Sequence, residues 1–458
     1  MSETTLITFV TYLLAVVAIG VIAIKRTRDV TDYAIGSRNL SAPVAGLSAG
    51  ASDMSGWLLL GLPGAVYVSG LQETWILVGL ATGAWANWRL VAPRLREETV
   101  DLNNALTLPQ FFARRTRYTK PLLRLITAAI TIVFFTIYAS AGFVAGAKLF
   151  EVVLGLSYEQ ALGVGVVVIV SYTAFGGFLA VSWTDFFQAL LMMGALVLIP
   201  IVGSMDVVAT GTQLQFASLG WIGVISLLAW GLGYFGQPHI LVRFMAIANP
   251  IEIPKARRIG IGWMLLSGIG AIGVGLVGSM HFAALGDPET VLIELANLLL
   301  EPWIAGIVLA AILAAVMSTV DSQLLVASTS LVLDAGIRTK YPLGLSRIMV
   351  VLVALAAWVI ALNPESRVLD LVAYAWAGLG ASFGPCVLYC LFWKGTTGRG
   401  LIAGMLVGGS TIFVWRNLTG GIFELYEILP AFVLATLAIY FVSRLSNPNE
   451  LKQSESGG

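Results

Sequence analysis

The chain consists of long apolar runs separated by short polar or charged segments. Many of these runs are about 17 to 25 residues long, the length that a helix needs to cross a hydrocarbon core of about 30 Å. The strict alternation of apolar and polar residues that is typical of membrane strands is absent, so a barrel is not predicted. The pattern predicts an all-α integral membrane protein with about thirteen transmembrane helices. The predicted spans are 6–24, 43–69, 74–92, 122–150, 160–180, 186–204, 219–242, 259–283, 302–333, 347–362, 367–393, 400–416 and 428–443.

The composition supports a membrane protein. Of the 458 residues, 58% are hydrophobic and 11% are charged, whereas soluble domains have about 45–50% and about 25%. The first run is followed by KRTR and has no basic residue before it. This is the reverse of the charge order in a signal peptide, so a retained span is predicted. Cys386 and Cys390 lie in one apolar segment at helical spacing, which indicates packing rather than a disulfide or metal site.

The lysine and arginine residues predict the orientation, because basic residues accumulate in cytoplasmic loops. If the N-terminus is outside, all but three of the 26 basic residues fall on the cytoplasmic side, the exceptions being Lys148, Arg367 and Arg416. We therefore predict a multi-pass protein of the plasma membrane with a cytoplasmic C-terminus. The longest polar linker, 93–121, is predicted to be a cytoplasmic loop with a short amphipathic helix at LTLPQFFARR. Contact with anionic lipid headgroups is the alternative to a plain positive-inside loop.

Two spans are interrupted by residues that disfavour a helix. The second contains SAGASDMSG, and the seventh contains AWGLGYFGQPHI with three glycines and a proline. The two interrupted spans lie five spans apart and therefore enter the membrane from opposite sides. This is typical of an inverted repeat, here spans two to six against seven to eleven, whose broken helices meet at a binding site near the midplane. Close packing of two glycine-rich helices is the alternative.

Several oxygen atoms near the first interruption suit a hard cation such as sodium. An unwound helix frees carbonyls near Ala51 and Met54, and Ser318 and Thr319 can point their hydroxyls inward from the ninth span. The alternative for the two hydroxyls is a bond to the carbonyl one turn earlier. Asp53 is an intramembrane carboxylate, for which a functional role is the default. It is predicted to ligate the ion, to attract it by charge, or to cap freed amides while protonated.

Two further acids have both functional and structural interpretations. Asp321 follows Ser318 by three residues and so lies on nearly the same helix face. It could add negative potential or carry a proton, or it could simply bond to a neighbour such as Ser322. Asp185, in SWTD, is predicted to lie at an inner membrane end, where capping the next helix is the alternative to a functional role.

An organic solute would need amides for a carboxylate and aromatic faces for an apolar body. Ser55 and Gly56 offer freed amides just after the first interruption. The residues that could form the wall of a small pocket are Tyr138, Trp230, Tyr234, Gln237 and Pro238. Ordinary packing or an interfacial aromatic belt is the alternative for these side chains.

Other classes of protein find little support in the motifs. His239 and His281 are the two histidines, and neither has metal-binding spacing. A nucleophile elbow, a phosphate loop and a zinc signature are absent, so a membrane enzyme is not predicted. A channel or receptor is disfavoured by the paired interruptions and by the short polar tail. We predict no nucleic-acid partner, no organic cofactor and no obligate protein partner.

Eight segments carry a recognisable pattern along the chain. They are LSAGASDMSGWLLLGLPGAVYVSGL, NNALTLPQFF, FFTIYASAGFVAGAKLFE, GGFLAVSWTDFFQA, WGLGYFGQPHILVRFMA, PWIAGIVLAAILAAVMST, SQLLVASTS and NPESRVLDLVAYAWAGLGASFGP. In this order, from about residue 6 to residue 443, they resemble the sodium/solute symporter family, and most closely its proline branch. The resemblance implies sodium-coupled import of L-proline by alternating access. Sister branches that carry sugars, pantothenate, monocarboxylates or iodide, with sodium or protons, remain alternatives.

The resemblance also implies a leucine-transporter-type fold with a 5+5 inverted repeat, one extra N-terminal helix and two extra C-terminal helices. The single domain 1–458 would comprise repeat one at about 41–204, repeat two at about 217–393, and peripheral segments 1–40 and 394–458. One sodium ion, the coupling ion, would lie where spans two and nine meet. Its implied ligands are the carbonyls of Ala51, Met54 and Ala315 and the hydroxyls of Ser318 and Thr319, with Asp53 required for sodium affinity.

The remaining implied residues belong to the solute pocket and to coupling. The implied proline pocket contains Ser55, Gly56, Tyr138, Trp230, Tyr234 and Pro238. Arg38, Asp185 and Arg367 match charged positions linked in the family to coupling or gating. Asp321 stands where a small neutral residue is expected, which leaves the ion stoichiometry and a role for protons open.

Overall fold

The computed structural model describes residues 3–24, 30–206, 219–334 and 340–446. These ranges are mostly helical, and they contain an isolated β-bridge between Leu40 and Ile247. The predicted start of repeat two near 217, the KRTR segment and the tail after 446 lie outside the described residues.

The α-helices follow one another as the apolar runs predict. The first nine are α1 (Glu3–Ile24), α2 (Val30–Ile35), α3 (Ala42–Asp53), α4 (Leu62–Ser69), α5 (Thr74–Ala86), α6 (Ala92–Asp101), α7 (Leu108–Arg115), α8 (Leu122–Leu154) and α9 (Tyr158–Met205). The others are α10 (Trp221–Leu228), α11 (Pro238–Ala246), α12 (Ile253–His281), α13 (Val291–Leu299), α14 (Pro302–Asp334), α15 (Pro342–Ala361), α16 (Val368–Phe392), α17 (Gly398–Trp415) and α18 (Ile428–Leu445).

Eight of the described helical segments are long and apolar enough to cross a membrane. Shorter apolar helices accompany them, at Glu3–Val16, Trp57–Ser69, Tyr158–Ser171 and Trp221–Gly236. Large apolar side chains such as Leu14, Val167 and Phe187 are more than half exposed on the outer surface of the bundle. A lipid environment accounts for this exposure, which would be unfavourable in water. The count of thirteen spans stays a prediction.

Both predicted interruptions are confirmed. The second span breaks after α3, where Met54 has φ −88° and ψ 75°, and resumes through a π-helical turn at Trp57–Gly61 into α4. The seventh span changes from α10 to a 3-10 helix at Ala229–Gly236, becomes extended at Gln237 and continues as α11.

The boundary between the fifth and sixth spans differs from the prediction. No loop separates 160–180 from 186–204, because the chain turns at Gly177, whose φ of 70° suits glycine. The sixth membrane segment therefore begins at Gly177. Asp185 lies inside this helix rather than at its end, so the interpretation of Asp185 as a helix cap is wrong.

Helix α14 occupies the centre of the bundle. It packs against α1, α3, α8, α9 and α15, and 83% of its most apolar stretch is buried. Helices α3 and α16 also pack within the bundle, α3 on α12 and α9, and α16 on α8. The ninth predicted span is therefore held on several sides, and its polar side chains are shielded from lipid.

Glycines allow the broken seventh span to approach its neighbour α5 closely. A Cβ on Gly231 would lie 2.2 Å from the carbonyl oxygen of Gly79 on α5, and a Cβ on Gly83 would lie 2.1 Å from the carbonyl oxygen of Gly231. Real side chains cannot approach backbone this closely, so the two backbones touch only because both residues are glycine.

Replacing Gly231 by alanine is expected to destabilise the protein by about 1–3 kcal/mol, because the methyl group overpacks a backbone contact. Thermal unfolding can be followed with a thiol-reactive dye, since Cys386 and Cys390 are free and buried. Gly262→Ala is the control, because a Cβ there meets no atom within 4 Å. Equal melting temperatures for the two variants would contradict the close contact.

Candidate functional site

Four oxygen atoms converge where α3 meets α14. The Ser318 hydroxyl donates to the carbonyls of Ala51, at 2.9 Å, and Ala315, at 3.1 Å. The Thr319 hydroxyl lies 3.3 Å from the same Ala51 carbonyl. Metal–oxygen distances of about 2.4 Å place neighbouring ligands roughly 3–3.5 Å apart, so these oxygens have the spacing of a shared hard cation.

The break in the second span removes two helical hydrogen bonds beside this cluster. In a continuous helix the amide of Ser55 would donate to the carbonyl of Ala51. In the structure it donates to the backbone carbonyl of Asp53 instead, at 3.1 Å. Likewise the amide of Leu58 donates to Ser55, at 3.0 Å, rather than to Met54. The carbonyls of Ala51 and Met54 are therefore released from the helical ladder and are open to another ligand.

Asp53 connects the cation cluster to an aromatic cluster. Its side chain is 1% exposed, and its Oδ2 atom accepts a hydrogen bond from the hydroxyl of Tyr234. Its backbone carbonyl accepts from the indole of Trp57, at 3.1 Å, and the hydroxyl of Tyr138, at 3.2 Å. Its Oδ1 atom has no partner within the described ranges. One residue thus carries a buried carboxylate beside both groups of candidate ligands.

Aromatic rings form a wall around the second interruption. The Trp230 ring stacks on Tyr426 at 5.4 Å between centroids and lies 5.9 Å from the Trp57 ring. The Tyr234 ring meets Trp376 edge-on at 5.1 Å, and the Trp376 indole donates to the carbonyl of Trp230 at 2.8 Å. The sequence predicted Trp230 and Tyr234 as wall residues but not Trp57, Trp376 and Tyr426. Aromatic residues are common in membrane helices, so their spacing in the sequence does not indicate which of them line a pocket.

The other predicted pocket residues lie at the two breaks. Gly56 packs so tightly that a Cβ would lie 2.7 Å from the Cβ of Ala145. The side-chain amide of Gln237 donates to the Trp376 carbonyl at 3.1 Å, and its oxygen is buried without a described partner. Pro238 begins α11 and lines a cavity with Thr131. Beside Asp53 lie Ser55, Gly56 and Tyr138. Pro238 instead faces the cavity that it shares with Thr131.

A buried arginine that sequence reasoning missed joins four helices. The guanidinium of Arg243, on α11, donates to Asp185 Oδ2 on α9 and to Ser48 Oγ on α3, both at 3.0 Å. It also donates to the hydroxyl of Ser322 on α14. Arg243 and Asp185 are 1% and 0% exposed. The sequence analysis treated Arg243 only as one of the basic residues near the cytoplasmic end of a span. The signal that it missed is a charged residue within the apolar stretch PHILVRFMA, which in a membrane segment indicates a functional role.

This arginine network reaches the candidate cation site. The Ser322 hydroxyl donates to the carbonyl of Ser318 at 2.8 Å. The backbone that positions the Ser318 hydroxyl is thus bonded to a side chain that contacts Arg243. A change in the Arg243–Asp185 pair should therefore alter the position of α14 at the cation site.

Asp321 lies on α14 and contacts α9, whereas the hydroxyls of the cation cluster contact α3. It is fully buried, and its Oδ1 atom is bonded to the hydroxyl of Thr173 on α9. Its Oδ2 atom has no partner within the described residues, and no described ion pair includes Asp321. The predicted alternative was a bond to Ser322 or another neighbour, and the structure shows the neighbour Thr173 in this role. The Ser322 hydroxyl instead donates to the carbonyl of Ser318 and accepts from Arg243.

The two predicted coupling arginines form no described hydrogen bond or ion pair with Asp185. Arg38 donates to the carbonyls of Met245 and Ala105 and to the side chain of Asn104, so it ties α11 to the segment after α6. Burial and the neighbouring Arg96 guanidinium lower the pKa of Arg38 to about 10. Arg367 is exposed at the N-cap of α16. The four predicted coupling residues, Arg38, Asp185, Asp321 and Arg367, therefore have separate sets of partners in the described residues.

A second charge cluster lies beside the start of α16. The Lys148 ammonium is 2.7 Å from both Asp287 Oδ2 and Glu289 Oε2. The two Glu289 oxygens accept from the amides of Val368, at 3.0 Å, and Leu369, at 3.1 Å. Glu289 thereby stabilises a helix N-terminus and pairs with a lysine of α8. The segment between α12 and α13 is thus fastened to two helices of the bundle.

Comparisons with known proteins agree with this architecture. The family model of the sodium:solute symporter family matches residues 33–408. The high-affinity proline transporter PutP of Bacillus subtilis is 49% identical, covering 93% of this chain and 95% of that protein. The sodium/proline symporter of Escherichia coli is 48% identical, covering 96% of this chain and 93% of that protein.

Solved structures share the fold at low sequence identity. A Na+-coupled sialic acid symporter in a substrate-bound outward-open state has a TM-score of 0.83 at 16% identity, covering 98% of this chain and 99% of that one. MhsT in complex with L-phenylalanine has a TM-score of 0.58 at 14% identity, covering 88% and 99%. These neighbours confirm the predicted leucine-transporter-type fold class. With a family model that matches most of its length and relatives near 50% identity, the chain belongs to the sodium:solute symporter family.

Proposed function

We propose that this protein is a sodium-coupled symporter that imports L-proline across the plasma membrane by alternating access. The observation that carries the proposal is the convergence of the Ser318 and Thr319 hydroxyls on the Ala51 carbonyl, beside the buried Asp53 carboxylate. The relatives that are nearly 50% identical over almost the whole chain are named as proline transporters, which supports the choice of solute. The family's transport activity also supports a protein that is not an enzyme.

Sodium would bind between α3 and α14. The Ser318 and Thr319 hydroxyls would turn their hydrogens away and offer lone pairs, together with the carbonyls of Ala51, Met54 and Ala315. Both hydroxyls already connect α14 to α3 through the Ala51 carbonyl. Because one ion would be held by both helices, its binding favours the arrangement in which α3 and α14 are in contact.

Proline would bind next to the same break. Its carboxylate would meet the amides near Ser55 and Gly56, and its ring would pack on the wall that includes Tyr138, Trp230 and Tyr234. The tight contact of Gly56 with Ala145 would keep the backbone within reach of a small solute. Gln237, whose side-chain oxygen lacks a described partner, could accept a hydrogen bond from the proline ammonium.

Coupling would follow from the shared helix. Asp53 and the residues beside it belong to both candidate sites, so ordering of this segment by sodium prepares the proline pocket, and the reverse holds equally. The driving force is the sodium gradient together with the membrane potential, which contributes about 2.3 kcal/mol per charge for each 100 mV.

The basic residues favour an orientation with the N-terminus outside and the C-terminus in the cytoplasm. In this orientation the Lys148 cluster, defined as Lys148, Asp287 and Glu289, lies on the outer side, and the Arg38 contacts lie on the inner side. Proline would enter past the Lys148 cluster. The pairing of that cluster would stabilise the state that is closed to the outside.

Replacing Lys148 by glutamine is expected to favour outward opening, because it removes a cation that is 2.7 Å from two carboxylates. A cysteine introduced at Tyr67, whose hydroxyl bonds to the Phe282 carbonyl in the same region, should react with an impermeant thiol reagent roughly fivefold faster or more. Arg416→Gln is the matched control, since its partner Glu427 is 3.9 Å away. Equal reaction rates in the Lys148 variant and the control would contradict a closing role.

The proposed function is tested by uptake of radiolabelled L-proline into proteoliposomes. One set of vesicles has an inward sodium gradient, a second has potassium in place of sodium, and a third has a proton gradient without sodium. Uptake is expected with sodium alone. The double variant Ser318→Ala and Thr319→Ala should lose it, while Ser410→Ala, a hydroxyl that bonds only to its own helix, should keep it.

Other outcomes would change the proposal in defined ways. Uptake with protons alone would contradict sodium coupling and direct attention to Asp321. Sodium-driven uptake of a sugar, pantothenate or a monocarboxylate in place of proline would keep the ion site and contradict the solute.

A further inference from the structure

The wall residue Trp230 has aromatic neighbours from two distant parts of the chain. Its ring lies 5.9 Å from the ring of Trp57, which follows the break in the second span. It also lies 5.4 Å from the ring of Tyr426, and these two ring planes are only 28° apart. Tyr426 comes just before α18, in a segment outside both predicted repeats. A ring from the peripheral part of the chain therefore supports the wall that the two broken spans form.

Two hydrogen bonds hold Tyr426 in place beside Trp230. Its hydroxyl donates to the carbonyl of Ala373 on α16, at 2.6 Å. Its amide donates to the hydroxyl of Ser226 on α10, at 3.0 Å. Because one bond fixes the backbone and the other fixes the far end of the side chain, the ring has little freedom to move. It therefore presents a fixed surface to Trp230.

The helix that holds Tyr426 also holds the backbone of Trp230. Trp376 follows Ala373 by about one turn on α16, and its indole donates to the Trp230 carbonyl at 2.8 Å. This approach depends on Gly233, because a Cβ there would lie 1.9 Å from the Trp376 Nε1 atom. The backbone of Trp230 is thus fixed by Trp376, while its indole ring packs on Tyr426.

The residues on both sides of Tyr426 are attached to the bundle as well. On one side, the Trp415 indole donates to the carbonyl of Leu425 at 3.0 Å. On the other side, a Cβ on Gly380 would lie 2.9 Å from the Ile428 Cδ1 atom, so the first turn of α18 packs closely on α16. The position of Tyr426 is therefore set by its own segment and not by Trp230 alone.

We propose that Tyr426 is a positioning residue of the solute pocket and that it limits the size of the solute ring that fits. This inference rests on the proposed function, because it takes Trp230 as part of the wall that the proline ring contacts. Tyr426 acts through Trp230, since its ring prevents the indole from moving back toward the peripheral helices. The remaining space then suits a five-membered ring and causes a clash with a larger one, which is how a site gains selectivity.

The test compares proline with pipecolate, its homologue with a six-membered ring, in sodium-gradient proteoliposomes. Two quantities are measured: the KM for proline uptake, and the inhibition constant of pipecolate against that uptake. Tyr426→Ala should raise the KM for proline roughly two- to tenfold, the contribution of one aromatic pair, with little change in kcat. The ratio of the pipecolate inhibition constant to the proline KM should fall roughly fivefold or more, because the wall can now move back.

Tyr426→Phe is the conservative variant. It keeps the ring that packs on Trp230 and removes only the hydroxyl that donates to Ala373. It should therefore keep the wild-type ratio within about a factor of two, since one neutral hydrogen bond contributes little. Tyr426→Leu keeps an apolar side chain without a ring, and it takes the place of Tyr426→Ala if melting curves show that the alanine variant is unfolded.

The matched control is Tyr440→Ala. Tyr440 is on α18 and packs on Trp393 with the rings 5.6 Å apart and 31° between their planes, nearly the geometry of the Tyr426 pair. Trp393 is at the C-terminal end of α16, whereas Ala373 is near its start. The control therefore removes a similar aromatic contact between the same two helices, and it should leave the proline KM and the selectivity ratio at their wild-type values.

Three results would overturn the inference. The first is an unchanged selectivity ratio in folded Tyr426→Ala or Tyr426→Leu. The second is an equal fall of the ratio in Tyr440→Ala, which would indicate a general loss of packing. The third is a lower kcat at unchanged KM and ratio, which would make the role of Tyr426 purely structural. Wild-type protein that takes up no proline would contradict the proposed function itself, whereas wild-type uptake with any of these three results would contradict this inference alone.

Discussion

Replacing Asp53 by asparagine is expected to raise the sodium concentration for half-maximal proline uptake roughly 30- to 150-fold. The variant keeps the size of the side chain and can still accept from Tyr234, but it removes the buried negative charge. A unit charge a few ångströms from a cation, at an effective dielectric of about 20, contributes about 2–3 kcal/mol. Sodium titrations of initial uptake rates in proteoliposomes measure this shift.

Tyr234→Phe separates the charge of Asp53 from its hydrogen bond. This variant leaves the carboxylate in place and removes only the hydroxyl that donates to Oδ2. Its sodium requirement should change much less than that of Asp53→Asn, whereas its proline affinity should fall because Tyr234 belongs to the aromatic wall. An unchanged sodium requirement in Asp53→Asn would contradict the electrostatic role.

The second large effect is expected at Arg243. Its replacement by glutamine leaves the Asp185 carboxylate buried with Ser48 as its remaining described donor. Removal of one partner from a buried ion pair typically costs about 3–5 kcal/mol, because the other charge stays uncompensated. We therefore expect a melting temperature several degrees lower, measured by labelling of the buried Cys386 and Cys390. Sodium-driven uptake should be strongly reduced.

A double-mutant cycle distinguishes the pair from independent contributions. Arg243→Gln with Asp185→Asn removes both charges together, so it should be more stable than either single variant. Additive losses of stability would contradict the pair. If the pair positions α14 through Ser322, the double variant should regain stability while its sodium requirement remains raised. A wild-type sodium requirement in that variant would contradict the link to the cation site.

Most of the fold could be predicted because a bilayer permits few alternatives. Apolar length alone located helices such as Pro302–Asp334 within a residue or two of the predicted 302–333. The two interruptions were predictable because glycine, proline and a carboxylate all disfavour a membrane helix. The turn at Gly177 was not predictable from hydropathy, because one glycine with a positive φ redirects the chain without any polar loop.

The candidate site was predictable where backbone chemistry defined it. The release of the Ala51 carbonyl follows from the break, and its approach to Ser318 was implied by the family resemblance. Contacts between distant helices carry no such local signal. Arg243 meets Asp185 only after α11 packs beside α3, and Trp376 joins the aromatic wall from α16. These contacts between distant helices depend on tertiary packing and could not be predicted from the spacing of residues along one helix.

The central claim is that sodium and proline bind to neighbouring sites that share the broken second span. Equilibrium binding of radiolabelled proline to the purified protein, measured across a range of sodium concentrations, tests it most directly. The account predicts that sodium tightens proline binding by some factor and that proline tightens sodium binding by the same factor. It also predicts that Ser318→Ala with Thr319→Ala abolishes this mutual effect. Proline affinity that is identical in sodium and in potassium would contradict the account.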